Sequence, residues 1–233
     1  MKKNPKVRLL ISASQDIKNY ILFRKYSWTK LLDMFLPTKL HYILNKDYSK
    51  KEAENEVSKY VKERFKTEKR KITQDTESIK KGWELAENKY FDLVNIIFKN
   101  HPWPKGKYIG YASVFNMYPR NVQDKIFYFP GLHTSSRLGV QTISHEMLHF
   151  MFFDYLKTKY GISEDDEFEG KNPKYVWNIS ETFNLVIEAW KPYQKILKTK
   201  SEPYDPVHKR MFPRMKKLWD EKNDIDYLLS HYF

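Results

Sequence analysis

The chain has 233 residues, of which 41% are hydrophobic and 16% aromatic, so it can form a folded core and is not an intrinsically disordered chain. It contains no cysteine, which excludes disulfide bonds, thiolate metal ligands and a cysteine nucleophile. Any transition-metal site must therefore use His, Asp or Glu. The net charge of +13 indicates either a solvated basic surface or an anionic partner such as nucleic acid, and the charge alone does not choose between them.

The first hundred residues predict mainly helices. The apolar stretch Val7–Ile11 is too short and too polar for a signal peptide or a membrane span, because Arg8 interrupts it. The expectation is therefore a cytoplasmic protein with no membrane span. Residues 12–48 have mixed helical periodicity, which Pro37 interrupts.

A longer helical pattern runs over residues 49–100. Ser49 and Glu52 have the spacing of a capping box at its start, and the charged residues 66–71 predict a bend that divides it. The candidate core positions of the second helix recur at helical spacing, and they are Ile79, Trp83, Leu85, Ala86, Tyr90, Val94 and Ile97.

Two short strands are predicted next, over residues 108–115 and 126–129, where aromatic and β-branched residues are frequent. Turn formers lie between them, which favours a β-hairpin whose edge could bind a peptide as an added strand. Helical patterns resume over residues 136–160 and 175–190 and in the tail. The order predicts an α+β fold with a mainly helical region, 1–104, and a second region with a helical tail, 105–233.

The predicted helix over residues 136–160 carries the sequence His145-Glu146-Met147-Leu148-His149, an H-E-x-x-H motif. Residues at i and i+4 share a helix face, so both imidazoles can bind one Zn²⁺ ion. Glu146 borders the same cleft, where its carboxylate can accept a proton from a zinc-bound water. No other charged residue lies between Arg137 and Asp154, which indicates a buried helix rather than a solvated one. Two histidines and a glutamate in such a helix are costly unless a metal pairs them, although a core histidine pair is the alternative.

The motif and its apolar surroundings resemble the zincin metallopeptidases. Phe152 and Tyr155 occupy the positions where the metzincin branch has glycine and its third histidine, so that branch does not fit. The segment 177–184 resembles the glutamate helix of the gluzincin, or thermolysin-like, branch, and the resemblance implies Glu181 as the third zinc ligand. Glu188, the acidic residues at 164–169 and His208 remain alternative ligands.

The resemblance also implies groups around the metal. Ser180 and Leu185 stand where thermolysin-like sequences often have Asn and Asp, so Asn178 or Asn184 is expected to support a zinc histidine instead. A Tyr or His outside the motif would stabilise the transition state, and the candidates are Tyr175, Tyr204 and His208.

The predicted function is that of a zinc metallopeptidase with one Zn²⁺ per chain and a peptide or protein substrate. A first alternative is a basic, SprT-like protease that acts on proteins bound to nucleic acid, which the net charge motivates. A second is a non-catalytic, zinc-containing regulatory or binding module. Glu146 argues against it, because a purely structural zinc site needs no adjacent base and usually has four protein ligands.

Overall fold

A computed structural model of the protein describes residues 4–25, 32, 34–45, 47–199, 201–203 and 205–233. The strands are β1 (Val7–Ile11), β2 (Tyr108–Ser113), β3 (Arg120–Asn121) and β4 (Ile126–Pro130). The helices are α1 (Ala13–Lys25), α2 (Lys50–Thr67), α3 (Lys69–Ile97), α4 (Ser136–Tyr160), α5 (Tyr175–Ala189), α6 (Lys191–Leu197), α7 (Pro206–Lys222) and α8 (Ile225–Leu229), with a 3₁₀ helix at Thr38–Leu44. Helices thus flank a small sheet along the chain, and the predicted α+β class is confirmed.

The chain forms two compact units. A sheet unit combines Pro5–Glu84 with Gly106–Ile143, and a helical unit combines Leu85–Lys105 with Ser144–Phe233 and the N-terminal Asn4. Each unit combines segments that are distant in the sequence, whereas the boundary predicted near residue 104 divides the chain into two continuous regions. That boundary, with its regions 1–104 and 105–233, stays a prediction.

The sheet has the strand order β1-β2-β4-β3. β1 and β4 both pair with β2 in parallel, and only β3 pairs antiparallel, with β4. The predicted hairpin between the strands at 108–115 and 126–129 is therefore wrong, although both strands and the small sheet are present. The chain reverses twice between them, and the tight turn after Asn121 joins β3 to β4. Because β2 is paired on both sides, it has no free edge for an added peptide strand.

Parallel pairing explains the composition of the central strands. Strands that are covered on both faces become continuously apolar rather than alternating, and β4 is buried from Phe127 to Pro130. Gly110 in β2 allows a close approach, because a Cβ atom there would lie 2.6 Å from the ring of Phe127. Val7–Ile11, which was interpreted from the sequence only as an apolar stretch, forms an outer strand of this sheet.

The long helices follow their sequence signals closely. Ser49 and Glu52 form the predicted capping box, and α2 ends at Thr67 with α3 beginning two residues later, within the predicted bend. Leu85 was expected in the core, but 85% of it is exposed. It lies off the 3.6-residue repeat of the other predicted core positions of α3, all of which are buried: Ile79, Trp83, Ala86, Tyr90, Val94 and Ile97. In the part of the chain described, no helix has the length and apolar content needed to cross a bilayer.

A buried polar cluster in the sheet unit joins α1 to the end of β2. Asp16 is fully buried and accepts hydrogen bonds from the Val114 amide at 2.9 Å and from the Asn19 side-chain amide at 3.2 Å. The same Asn19 amide donates to Ser113 Oγ and to the Met117 carbonyl. Burial raises the pKa of Asp16 to about 6, although the hydrogen bonds from Ser113, Val114 and Asn19 oppose that shift.

Asp16 should therefore make the chain less stable as the pH rises. A carboxyl group whose pKa is raised on folding stabilises the folded state fully below its unfolded pKa, near 4, and loses that contribution as the pH passes about 6. Between pH 4 and pH 7 the free energy of unfolding of the native chain should fall by about 2 kcal/mol relative to that of Asp16→Asn, because part of the contribution is already lost at pH 4. Urea unfolding at several pH values measures this difference. Asp92→Asn, at an exposed position, is the control, and parallel curves for the native chain and Asp16→Asn would contradict the assignment.

Candidate metal centre

The H-E-x-x-H motif lies in the middle of α4, on a helix that is buried on nearly all sides. Met147, Leu148 and every residue from Phe150 to Phe153 are buried, as are Tyr155 and Leu156. Gly161, with a φ of +70°, follows the helix and its amide bonds to the Lys157 carbonyl, as the sequence predicts for a helix end. The polar motif residues are therefore embedded in an apolar segment of the helical unit.

The two motif histidines turn the same ring nitrogen toward each other. The Nε2 atoms of His145 and His149 are 3.1 Å apart. His149 is fully buried, whereas 22% of the His145 side chain is exposed, so the pair is reached from the His145 side. The i, i+4 spacing thus produces the convergence that one shared ion would require.

Glu181, on α5, completes the cluster. One carboxylate oxygen lies 3.2 Å from His149 Nε2 and the other lies 3.3 Å from His145 Nε2. These three residues form a group whose donor atoms lie close enough to hold a metal ion. The structure thus brings together the three residues that the sequence predicts as ligands.

The outward-facing nitrogens of the two imidazoles have their own partners on α5. His145 Nδ1 lies 2.7 Å from Oε1 of Glu188, and His149 Nδ1 lies 2.6 Å from Oγ of Ser180. Both partners are buried. Hydrogen bonds at Nδ1 fix the ring orientation and leave the lone pair of Nε2 for the site. Sequence reasoning missed both partner roles, because it considered Glu188 as a metal ligand and Ser180 as a departure from the family pattern.

Electrostatics in this cluster favour a positive charge. Burial alone would lower the pKa of His145, but the carboxylates of Glu188 and Glu181 outweigh it and hold that pKa well above its ordinary value. Two imidazole nitrogens and a carboxylate that converge in a largely buried space need a positive charge, which either a proton on His145 or a metal ion supplies. The chemistry of the donor set therefore fits a divalent metal.

The spacing also fits zinc. In a tetrahedral site with bonds of about 2.0–2.1 Å, neighbouring ligand atoms lie roughly 3.3–3.4 Å apart. The measured separations are 3.1 Å between the imidazole nitrogens and 3.2 and 3.3 Å from these to the Glu181 oxygens. Each imidazole nitrogen thus lies close to the separation that a zinc ion imposes, both from the other nitrogen and from one oxygen of Glu181, with a different oxygen near each ring.

Three side chains from neighbouring helices form hydrogen bonds with α4 at Ser144 and His145, two of them with its backbone. Tyr90 donates a hydrogen bond to the Ser144 carbonyl at 2.8 Å, and Tyr193 donates to Ser144 Oγ at 2.9 Å. Asn184 donates to the carbonyl of His145 at 3.0 Å, so it supports the helix backbone rather than an imidazole ring. The position of His145 is therefore fixed from α3, α5 and α6.

The remaining predicted residues lie in different places. Glu146 is buried, with 5% of its surface exposed, and follows His145 on α4. Asn178 lies 3.1 Å from His208 Nε2 and contacts no motif imidazole by a hydrogen bond within the described residues. The Tyr175 hydroxyl donates to the Tyr232 carbonyl, near the end of the chain. Tyr204 lies outside the described residues.

His208 is a buried histidine near the cluster. Its ring packs on Trp177 with centroids 5.4 Å apart, and burial lowers its pKa although the charge of Glu181 acts in the opposite direction. It therefore stays a neutral side chain in the neutral pH range. The acidic run at 164–169, by contrast, is largely exposed and supplies no member of the metal-binding group found among the described residues.

No family model matches the chain, and neither a curated protein nor a solved structure shows significant similarity to it. Function is therefore inferred from the site and its chemistry.

Proposed function

We propose that this chain is a zinc-dependent metallopeptidase of the gluzincin type, with one Zn²⁺ held by His145, His149 and Glu181. The observation that carries the proposal is the convergence of two imidazoles and a carboxylate: the two Nε2 atoms lie 3.1 Å apart, and each has a Glu181 oxygen within 3.3 Å. Three protein ligands leave one coordination position open, as is usual in a catalytic rather than a structural zinc site. The resemblance of the motif to the zincins supports the same assignment.

In this proposal zinc, when bound, acidifies a water molecule and polarises the scissile carbonyl group. The carboxylate of Glu146 accepts the proton from the water and returns it to the leaving amine. Its burial at the motif favours this role, because a carboxylate shielded from bulk water keeps the proton within the site. Glu188 and Ser180 hold the two imidazoles in orientation through Nδ1.

His208 is the candidate for a second catalytic contact. It is buried and neutral, it is oriented by Asn178, and it is the only histidine on the described chain after His149 that is buried. A neutral imidazole has a single N–H, which faces the Asn178 oxygen, so His208 would have to turn from Asn178 to stabilise the oxyanion that develops on the substrate carbonyl. The complete absence of cysteine fits a reducing compartment, and the cytoplasm is the proposed location.

The test is a combined metal and activity measurement on protein without a histidine tag. We expect about one zinc per chain by mass spectrometry, and hydrolysis of fluorogenic peptides that stops with a zinc chelator and returns on addition of Zn²⁺. His149→Ala should lose both the zinc and the activity. His231→Ala removes an exposed histidine of the same unit and should keep both. Full zinc content in His149→Ala would overturn the metal assignment, and zinc without hydrolysis of any peptide would favour the non-catalytic module.

A further inference from the structure

The positive charge of this protein is concentrated in the sheet unit. Its two ranges, Pro5–Glu84 and Gly106–Ile143, contain 23 Lys and Arg against 12 Asp and Glu, a net charge of +11. The rest of the chain, which includes the candidate metal centre, carries only the remaining +2 of the total of +13. A net charge spread evenly for solubility would be divided more equally between the two units, so the asymmetry points to a local role.

Four cations at the junction of α2 and α3 form the densest part of this charge. Lys62, Lys66, Lys69 and Arg70 are all exposed, and we call them the junction patch. Their spacing of i, i+4, i+7 and i+8 is that of one helix face, and a single residue separates the two helices. The four side chains span about 12 Å along the helix direction.

The neighbouring acidic groups do not neutralise the junction patch. Glu63 lies 4.0 Å from Lys39, and Glu68 lies 3.2 Å from Arg64 and 3.9 Å from His133. Within the part of the chain that the structure describes, no ion pair within 4.0 Å involves a member of the patch. These four cations are therefore available to an external anion.

Two further features identify the kind of anion. The first turn of α3 contains no acidic residue, so no carboxylate within that turn offsets the charges of Lys69 and Arg70. The large exposed apolar side chains among the described residues all lie outside 62–70, so the patch has no apolar anchor for a bilayer. A row of unpaired cations without apolar neighbours suits a phosphate backbone.

We propose that the junction patch of the sheet unit binds the phosphate backbone of nucleic acid, independently of base sequence. Duplex DNA presents one negative charge per 1.7 Å or so of its axis, so several phosphates lie within reach of four cations spread over about 12 Å. This inference does not depend on the proposed peptidase activity. It assigns a nucleic-acid contact to the unit that lacks the metal centre.

Fluorescence anisotropy with a labelled 20-base-pair duplex of arbitrary sequence tests the proposal across a range of salt concentrations. The native chain should bind at low salt and lose affinity on the order of 100-fold between 50 and 200 mM salt, as about four phosphate contacts predict. A single variant with all four changes, Lys62→Gln, Lys66→Gln, Lys69→Gln and Arg70→Gln, should have a shallower dependence on salt. The magnitude of its negative slope of log K against log salt should be smaller by about 3–4.

The control variant changes the net charge equally in the helical unit, with Lys157→Gln, Lys191→Gln, Lys195→Gln and Lys217→Gln, all at exposed positions. It should keep the native slope. Equal reductions of the slope in both variants would show that net charge alone attracts the duplex, and would overturn the assignment to the junction patch. An unchanged slope in the patch variant would also overturn it, and so would the absence of binding at low salt. Binding to anionic phospholipid vesicles but not to the duplex would also overturn it. Circular dichroism checks that each variant is folded. Peptide hydrolysis by each variant checks that duplex binding and hydrolysis are separate activities.

Discussion

Glu146→Gln should abolish most peptide hydrolysis while leaving the fold and the metal content unchanged. The amide has almost the shape of the carboxylate but cannot accept a proton from water, so kcat should fall by about 10²–10⁴-fold. Because Glu146 is not one of the three candidate metal ligands, zinc per chain should stay the same. Steady-state hydrolysis of a fluorogenic peptide, measured beside zinc content, gives both quantities on one preparation.

Glu167→Gln is the matched control for that change. Glu167 is exposed, belongs to the acidic run at 164–169 and is not a member of the metal-binding group, so its amide variant should hydrolyse peptides at the native rate. A Glu146→Gln protein as active as the native chain would exclude Glu146 as the base, and the metal assignment would be unaffected. A Glu146→Gln protein without zinc would show that Glu146 supports the structure of the site. The variant Glu146→Asp, which keeps the carboxylate, would then test the catalytic role, and it should recover zinc and part of the activity.

The sequence predicts the ligand cluster better than it predicts the sheet, and the reason is the range of the interactions. His145 and His149 are one helical turn apart, so local geometry alone brings their Nε2 atoms together. Glu181 lies on a different helix, and its prediction depends on the resemblance of residues 177–184 to a glutamate helix, because α5 is buried on most sides. The pairing of β2 with β4, in contrast, depends on how residues 114–125 cross the sheet, which local turn propensity does not specify.

The partners of the two imidazoles show a second limit of prediction from the sequence. Ser180 lies opposite His149 and Glu188 lies opposite His145, so α5 runs antiparallel to α4 along the site. Asn178, Glu181, Asn184 and Glu188 recur at helical spacing in the sequence as a polar stripe, but this spacing does not indicate which helix the stripe meets or in which direction. The direction of α5 relative to α4 determines that Glu181 faces the candidate metal position and that Glu188 orients an imidazole ring.

Glu181→Ala should weaken zinc binding more than any other single change of a carboxylate in the chain. His145 has a carboxylate at each of its ring nitrogens, with Glu181 at Nε2 and Glu188 at Nδ1. One imidazole gives only one nitrogen to a metal ion, and the two Nε2 atoms are the ones that converge, at 3.1 Å. The carboxylate on the Nε2 side is therefore the expected ligand, and the one on the Nδ1 side the expected orienting group.

The two roles predict an order of zinc affinities, measured by competition with a chromophoric chelator at fixed pH. Glu188→Gln keeps the shape and an acceptor oxygen but loses the charge, and it should weaken zinc by the 10–100-fold usual for groups that support a ligand. Glu181→Ala removes a ligand and should exceed about 100-fold. Glu169→Gln, in the exposed acidic run, should match the native chain. If Glu188→Gln proves the weaker binder of the two, the third ligand is Glu188, and the gluzincin assignment fails although the H-E-x-x-H histidines still hold the metal.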